Sequence, residues 1–183
     1  MTAAERTLLA ILAAFLLGGA SPRIAFTPTQ PAFAAGAAEY EQIWNVEGVR
    51  IVAALETESG LEFPAGAIDA LVTRGRPMMS YDGGSMRLRA DYSPDYKKAT
   101  LVHELGHRLA FMLPRGELDD HRLLYLFLYD VWTDLYGKDF ADRMAAIERR
   151  IPGGYDYDSA WTWALSQTRE QRQERLRVLR ARI

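Results

Sequence analysis

The chain is organised around one short motif, Thr100-Leu101-Val102-His103-Glu104-Leu105-Gly106-His107. Residues four apart lie on the same face of an α-helix, so His103 and His107 can bring both imidazoles to one metal ion. Glu104 follows His103 by about 100° of helical rotation and therefore lies beside such an ion. The surrounding sequence favours a helix, because the apolar stretch that contains the motif continues until Pro114 ends it.

These residue types fit the chemistry of a zinc peptidase. Neutral imidazoles bind zinc, and zinc lowers the pKa of a bound water molecule toward about 7. A neighbouring carboxylate can take the proton as that water attacks a peptide carbonyl. We therefore expect Zn²⁺ as the cofactor, His103 and His107 as two of its ligands and Glu104 as the general base.

His121 is the predicted third ligand, because a catalytic zinc ion usually has three ligands from the protein. The chain contains only three histidines, and all of them lie within one short segment. A turn after Pro114 would send a second helix back antiparallel to the first. The beginning of that second helix, which carries His121, would then lie near His107.

The HELGH stretch resembles the zincin metallopeptidases. The later histidine at the start of a following helix is similar to the HExxH…H arrangement of SprT-like, or Spartan-type, minimal zincins. The resemblance covers about residues 85–136 and implies a zincin-like fold with the ligands and the base named above. The sequence departs from the family at Arg108, where zincins usually have an uncharged residue. It also lacks the HExxHxxGxxH pattern, which disfavours the metzincin branch.

Acidic residues are alternatives to His121 as the third ligand. Asp130 and Asp134 are similar to the two acids of thermolysin-like enzymes, of which the first binds zinc and the second holds a ligand histidine. Asp119 and Asp120 are further alternatives, as is a site without a third protein ligand. We expect that Asp119 or Asp120 instead caps the second helix or orients an imidazole.

Short strands are predicted before the motif. Ile68–Thr73 and Met78–Tyr81 have strand character, and Asp82–Ser85 is a strong turn signal. Met86–Asp91 alternates apolar and charged residues, as a strand with one buried face does. By resemblance, Met86–Asp91 forms the upper rim of the substrate cleft, and an ordinary edge strand is the alternative interpretation.

Helices are predicted on both sides of these strands. One spans Glu39–Glu58 with a possible break at Gly48. After the motif, we predict helices over His121–Tyr136, Lys138–Ile151 and Ala160–Arg180, the first of them buried on nearly every side. The fold class is therefore α+β and zincin-like, with a small, mainly antiparallel sheet packed on the HExxH helix and a helical C-terminal half. Two tyrosines just before the last helix, Tyr155 and Tyr157, are candidate oxyanion stabilisers.

Length and composition limit the possible classes of protein. A chain of 183 residues forms one domain, and its net charge of −2 predicts no nucleic-acid partner. The six arginines from Arg169 onward are interpreted as a solvated helical face. The absence of cysteine excludes thiolate metal sites, a cysteine nucleophile and disulfides.

The N-terminus predicts export. The run Leu8–Leu17 is wholly apolar and has the length of the hydrophobic core of a secretory signal. Cleavage is possible after Ala20 or after Ala34, and the second fits the small-residue rule better. We therefore predict a signal peptide over residues 1–34 and one metallopeptidase domain over residues 35–183. An uncleaved signal segment would be its only attachment to a membrane.

The sequence thus predicts a secreted or periplasmic zinc metallopeptidase that hydrolyses peptide bonds in a peptide or protein substrate. A zinc-bearing binding domain of the cell envelope without catalysis is the first alternative. Glu104 argues against it, because a structural zinc site needs only its ligands. The second alternative is a helical interaction protein in which the HExxH sequence is accidental.

Overall fold

The structure is a computed structural model that describes residues 22–183. It combines a small four-stranded sheet with α-helices, which confirms the predicted α+β class. The elements in chain order are β1 (Ile24–Pro28), α1 (Ala34–Ser59), β2 (Ile68–Thr73), β3 (Met78–Met79), β4 (Ser85–Arg89), α2 (Pro94–Ala110), α3 (Asp120–Tyr125), α4 (Leu128–Tyr136), α5 (Lys138–Glu148), α6 (Tyr157–Leu165) and α7 (Arg169–Arg180).

The sheet is mainly parallel, so the predicted mainly antiparallel sheet is wrong. Its strand order is β1-β2-β4-β3, and both β1 with β2 and β2 with β4 pair in parallel. Only the short β3 runs antiparallel to its neighbour β4. The helix α1 connects β1 to β2, and such a crossover is what allows two successive strands to run parallel. The alternation of buried and exposed residues marks a strand but carries no information about the direction of its partner.

The folded domain begins before residue 35. Ile24–Pro28 pairs with β2 along its whole length, from Ile24 opposite Ile68 to Pro28 opposite Val72. Cleavage at the predicted boundary after Ala34 would therefore remove β1 from the sheet, whereas cleavage after Ala20 would leave β1 in place. The apolar run Leu8–Leu17 and the predicted cleavage site after Ala20 lie outside the described residues. Among residues 22–183, no helix is both long and apolar enough to cross a membrane.

The first helix supports the sheet from one side. α1 continues through Gly48 without the predicted break and ends at Gly60, whose φ of 64° is the left-handed conformation that favours glycine. Its inner face buries Tyr40 and Leu55 completely. The hydroxyl of Tyr40 donates a hydrogen bond of 3.0 Å to the carbonyl oxygen of Arg89 at the end of β4. This contact joins α1 to the strand that precedes the motif helix.

The motif helix α2 is the centre of the molecule. Ser93 caps its first turn, and all residues from Ala99 to Ala110 are buried. The helix predicted over His121–Tyr136 is instead two helices, α3 and α4, which are separated at Leu126 and Phe127. The separation is invisible in the sequence because apolar residues continue through it without interruption, and both residues at the break are fully buried.

Gly106 allows α3 to pack closely against α2. A Cβ atom added at Gly106 would lie 2.6 Å from Cδ1 of Leu124, which is closer than two carbon atoms can approach. Leu124 itself is fully buried. The glycine in the motif therefore has a packing role: it lets the start of α3, with His121, reach the two motif histidines.

The C-terminal helices follow the predicted pattern with different ends. The helix predicted to Ile151 ends at Glu148, and the helix predicted over Ala160–Arg180 is divided into α6 and α7. Thr168 begins α7 with a capping box, in which its side chain and that of Gln171 each bind the other residue's backbone amide. The chain therefore turns just before the arginine-rich segment.

Candidate metal centre

Two histidines of α2 lie side by side, as the spacing of the motif predicts. The Nε2 atoms of His103 and His107 are 3.1 Å apart, and each side chain is buried with 7% of its surface exposed. Two imidazole nitrogens this close face the same small volume. One cation placed there would be within reach of both rings.

The structure brings His121 to the same place. Asp119 caps α3 by accepting a hydrogen bond of 2.9 Å from the backbone amide of Arg122, and His121 therefore lies in the first turn of that helix. The ring centroid of His121 is 4.8 Å from that of His107 and 5.6 Å from that of His103. One ligand atom from each of the three histidines can be chosen so that all lie within 4.8 Å of one another. Within residues 22–183, this is the one such cluster of potential metal ligands.

The acidic alternatives to His121 have other partners. Asp130 is buried and forms an ion pair of 2.7 Å with Arg172, and Asp134 pairs with Arg169 at 2.6 Å. The thermolysin-like prediction for Asp130 is therefore wrong, because its carboxylate points to α7 and not to the histidines. Asp119 caps α3 and also accepts a hydrogen bond from Tyr155, so its carboxylate is engaged as well.

Asp120 has a different position. It lines the cleft next to the histidines, and its carboxylate accepts a hydrogen bond of 2.9 Å from the hydroxyl of Tyr81. Arg115 lies 3.1 Å from the same carboxylate. These contacts tie the β3–β4 turn to the start of α3, across one end of the cleft.

Glu148 orients the first histidine of the motif, and the sequence did not predict this. Its Oε1 atom is 2.7 Å from Nδ1 of His103, on the side of the ring that faces away from His107. Its Oε2 atom accepts hydrogen bonds from the Tyr125 hydroxyl at 3.0 Å and from the Trp161 indole at 3.1 Å. A carboxylate bound to the outer nitrogen of a ligand histidine is the usual support of a metal site. Glu148 is separated from His103 by α3 and α4, and no periodic pattern in the sequence relates the two residues.

The environment keeps two of the histidines neutral. Burial, followed by the neighbouring imidazoles, holds the pKa of His107 well below its usual value. Burial also lowers the pKa of His121 to about 4. Burial acts in the same direction on His103, but the charge of Glu148, its hydrogen bond to the ring and the charge of Glu104 together outweigh burial and raise the pKa of His103. Neutral imidazole is the form that binds a metal ion.

Glu104 lies next to the cluster in a nearly dry position. Only 3% of its surface is exposed, and its Oε2 atom is buried without a hydrogen-bond partner among the described residues. Burial raises the pKa of Glu104 to about 7, although the positive charge of His103 opposes the shift. A buried carboxylate oxygen without a partner is rare unless a ligand or water completes it. The Oε2 atom of Glu104 is therefore available to a ligand or water molecule that binds beside the histidines.

A cleft of about 400 Å³ gives access to the cluster. One wall is formed by residues 77–81, which include β3. None of residues 86–91 lines the cleft, so the prediction that Met86–Asp91 forms its rim is wrong. That strand, β4, lies between β2 and β3 and is therefore not an edge strand either. The floor and opposite side consist of His103, Glu104, His107, Phe111, Asp120, His121 and Tyr157.

The two candidate oxyanion stabilisers differ in their contacts. The hydroxyl of Tyr155 donates a hydrogen bond of 2.6 Å to Asp119, which occupies its proton. Tyr157 lines the cleft, with its ring 4.9 Å from that of His121. Of the two predicted tyrosines, only Tyr157 is therefore among the residues that line the cleft.

Arg108, the residue at which the sequence departs from zincins, points away from the cluster. Its guanidinium donates a hydrogen bond of 2.9 Å to the carbonyl oxygen of Ala65 and lies over the ring of Phe63. The arginine thus supports the loop before β2 and does not line the cleft.

The chain was compared with protein-family models, with curated proteins and with solved structures. None of the three comparisons found a match.

Proposed function

We propose that this chain is an exported zinc-dependent metallopeptidase of zincin-like, SprT-like type. His103, His107 and His121 would hold the metal ion, and Glu104 would act as the general base. The observation that carries the proposal is the convergence of three imidazoles, two buried and one half-buried, from two different helices. They lie beside the buried carboxylate of Glu104, which has an unpartnered oxygen among the described residues and lines the same cleft.

The residues present fit a zinc ion. The cluster offers nitrogen donors, which suit zinc, and two of the three imidazoles have lowered pKa values and are neutral at physiological pH. The contact of Glu148 with Nδ1 of His103 leaves the Nε2 atom of that ring as the donor that faces the cluster. Three protein donors are the number found in catalytic zinc sites, where structural sites usually have four.

The chemistry supported by this arrangement is hydrolysis of an amide bond. Zinc bound at the histidines would polarise the scissile carbonyl and make a water molecule more acidic. Glu104 takes a proton from the attacking water and delivers it to the nitrogen of the leaving amine.

The shape of the site supports a polypeptide substrate. The cleft is open, and one wall is the edge strand β3, whose outer side has no neighbouring strand in the described sheet. An extended peptide can pair with such an edge through its backbone. A zinc-bearing domain without catalysis would need neither the cleft nor a buried carboxylate next to the ligands.

Export is proposed from the apolar segment Leu8–Leu17 alone. The protein would be secreted or periplasmic, or would stay tethered through that segment. Because the chain has no cysteine, an exported domain would be stabilised by its hydrophobic core alone, without disulfides.

Zinc content and cleavage test the proposal together. Protein purified without chelator should contain about one equivalent of zinc, and less than about half an equivalent would contradict a metal site. The zinc-loaded protein should release fluorescent peptides from fluorescein-labelled casein. Glu104→Gln should keep the zinc and lose the cleavage, because the amide cannot accept the proton. Cleavage that persists in Glu104→Gln would contradict the role of Glu104, and zinc binding without any cleavage by the wild type would favour the non-catalytic domain.

A further inference from the structure

Three side chains join the two walls at one end of the main cleft. The Tyr81 hydroxyl donates a hydrogen bond of 2.9 Å to the Asp120 carboxylate, and both residues line the cleft. The guanidinium carbon of Arg115 lies 4.9 Å from the centre of the Tyr81 ring, and its Nε atom is 3.1 Å from the same carboxylate. We call Tyr81, Asp120 and Arg115 the clasp. It connects the β3–β4 turn to the beginning of α3.

The turn that carries Tyr81 has a defined backbone. The Ser80 amide donates a hydrogen bond of 2.8 Å to the carbonyl oxygen of Ser85, and the Gly83 amide donates one of 2.9 Å to that of Ser80. Backbone bonds within a turn restrict the position of the side chains that it carries. The clasp is therefore formed from a structured turn and not from a long, loose loop.

Arg108 packs against the same turn. Gly83 has a φ of 68°, the left-handed conformation that favours glycine, and a Cβ atom added there would lie 2.9 Å from Cγ of Arg108. The absence of a side chain at Gly83 thus lets the arginine contact the turn directly. Arg108 is also the residue at which the motif departs from zincins. The support of the clasp is therefore particular to this chain.

The clasp lies close to the three histidines. The ring of Phe111 has its centre 5.3 Å from that of His107 and 4.8 Å from that of Tyr81, and Asp120 directly precedes His121. An extended chain advances about 3.3 Å per residue, so about three residues fit between the histidines and the clasp. A substrate bound at the histidines would therefore reach the clasp unless it ended within that distance.

The clasp can open because its parts are exposed to solvent. Tyr81 is 68% exposed, as is 59% of the Arg115 side chain. Water competes for contacts at such positions, so the bond between Tyr81 and Asp120 favours the closed form by only about 3- to 10-fold. A polypeptide that passes this end of the cleft would therefore bind only to the less populated, open form.

We propose that Tyr81 is a specificity-determining residue, and that the clasp makes the enzyme select short peptides and chain ends over the interior of a long chain. This inference rests on the proposed peptidase function and names a substrate class for it. A short peptide can bind with its end in front of the clasp. The interior of a long chain can bind only after the clasp has opened.

Tyr81→Phe removes the hydroxyl and keeps the ring that contacts Phe111 and Arg115. In the zinc-loaded full chain, the ratio of kcat/KM on fluorescein-labelled casein to kcat/KM on a fluorogenic pentapeptide library should rise about 3- to 10-fold. The rise should come from faster cleavage of casein, because the bond that favours the closed form is lost. General damage to the site would lower both rates and would not raise the ratio.

Arg115→Gln tests the clasp at a residue that does not line the cleft. It removes the positive charge that lies over Tyr81 and beside Asp120, so the same ratio should rise about 2- to 5-fold. Tyr129→Phe is the matched control, because the Tyr129 hydroxyl also donates to an aspartate, Asp142, but outside the cleft. It should leave the ratio unchanged.

Hydrogen exchange measures the opening of the clasp without turnover. In zinc-loaded Tyr81→Phe, the backbone amides of residues 80–85 should exchange about 3- to 10-fold faster than in the wild type, because the turn is released more often. The same amides in Tyr129→Phe should exchange at the wild-type rate. This measurement does not depend on cleavage of any substrate.

The outcomes separate the inference from the proposed function. If the wild type cleaves both substrates and Tyr81→Phe keeps the wild-type ratio, the role of the clasp is overturned and the peptidase function stands. If the ratio rises without faster exchange in residues 80–85, opening of the clasp is not the cause and the inference is overturned as well. If the zinc-loaded wild type cleaves neither casein nor the pentapeptides, the peptidase function fails and the inference fails with it.

Discussion

The Nδ1 atom of His103 and the Oε1 atom of Glu148 are 2.7 Å apart, although 45 positions separate the two residues in the chain. The contact is buried, with about 4% of the Glu148 side chain exposed. It fixes the ring of His103 and directs its other nitrogen toward His107. Because the hydrogen bonds from Tyr125 and Trp161 hold the carboxylate in turn, the orientation of the first motif histidine depends on helices α3, α5 and α6.

Glu148→Gln should weaken zinc binding without unfolding the protein. The amide keeps the shape of the side chain and can still accept a hydrogen bond from His103, but it no longer makes the imidazole more basic. Loss of such a partner typically lowers metal affinity about 10- to 100-fold. Competition with a chromogenic zinc chelator measures the change. Glu62→Gln, an exposed glutamate in the loop before β2, is the control and should bind zinc like the wild type. Equal affinities in the two variants would contradict the role of Glu148.

Gly106→Ala should destabilise the protein and weaken the metal site. The new Cβ would lie 2.6 Å from the buried side chain of Leu124 and would push α3 away from α2. Overpacking costs about 1–3 kcal/mol, which exceeds the gain of about 1 kcal/mol from replacing glycine in a helix. Urea denaturation and zinc competition should both show the loss, because His121 moves with α3. Gly154→Ala, where an added Cβ meets no atom within 4 Å, should leave both quantities nearly unchanged.

The contribution of Glu104 to the stability of the zinc-free protein should decrease as pH rises from about 4.5 to about 7. Burial raises the pKa of Glu104 from 4.5 to about 7, so the folded protein holds this proton more tightly than the unfolded chain does. Over this range the contribution falls by about 3 kcal/mol for a shift of this size. The lowered pKa values of His107 and His121 act in the opposite direction, so the effect of Glu104 is measured as a difference between two proteins.

Glu104→Gln cannot titrate at this position and should lack that contribution. Urea denaturation in the presence of a chelator, at pH 5 and at pH 8, gives the difference between the two proteins. On going from pH 5 to pH 8, the stability of the wild type should change less favourably than that of the variant. An equal change in both proteins would show that Glu104 is not the buried carboxyl that titrates.

Asp130→Asn should destabilise the fold and leave the zinc affinity unchanged. It removes the charge that pairs with Arg172 in the interior and leaves the guanidinium without a counter-ion. Breaking a buried pair in this way typically costs about 3–5 kcal/mol. Thermal unfolding measures the cost, and zinc competition below the transition measures the affinity. Asp142→Asn, which breaks an exposed pair with Lys138, should cost much less. A large loss of zinc affinity in folded Asp130→Asn would revive the thermolysin-like alternative.

The sequence predicted the parts of the site that depend on local spacing. His103, His107 and Glu104 follow from the helical period alone, and the turn after Pro114 placed His121 correctly near them. Glu148 could not be found in this way, because its contact with His103 is made by the packing of separate helices. The choice between His121 and Asp130 likewise needed the structure, since only the contact with Arg172 removes Asp130 from the site.

The sheet was predicted less well than the site. The strands Ile68–Thr73 and Met86–Asp91 were predicted, the second from its alternating side chains, but alternation does not tell which strands pair or in which direction. Ile24–Pro28 was assigned to the signal segment, and the crossover through α1 was therefore missed. Without β1, the hairpin of β3 and β4 was the one visible pairing, and it suggested an antiparallel sheet.

X-ray absorption at the zinc edge tests the central claim most directly. The zinc-loaded protein should show three imidazole nitrogens at about 2.0–2.1 Å and one exchangeable oxygen ligand. His121→Ala should show two imidazoles and a weaker affinity, because that residue would supply one of the three. A wild-type spectrum with fewer than three imidazoles, or one unchanged by His121→Ala, would contradict the convergence of these three histidines on a single metal ion.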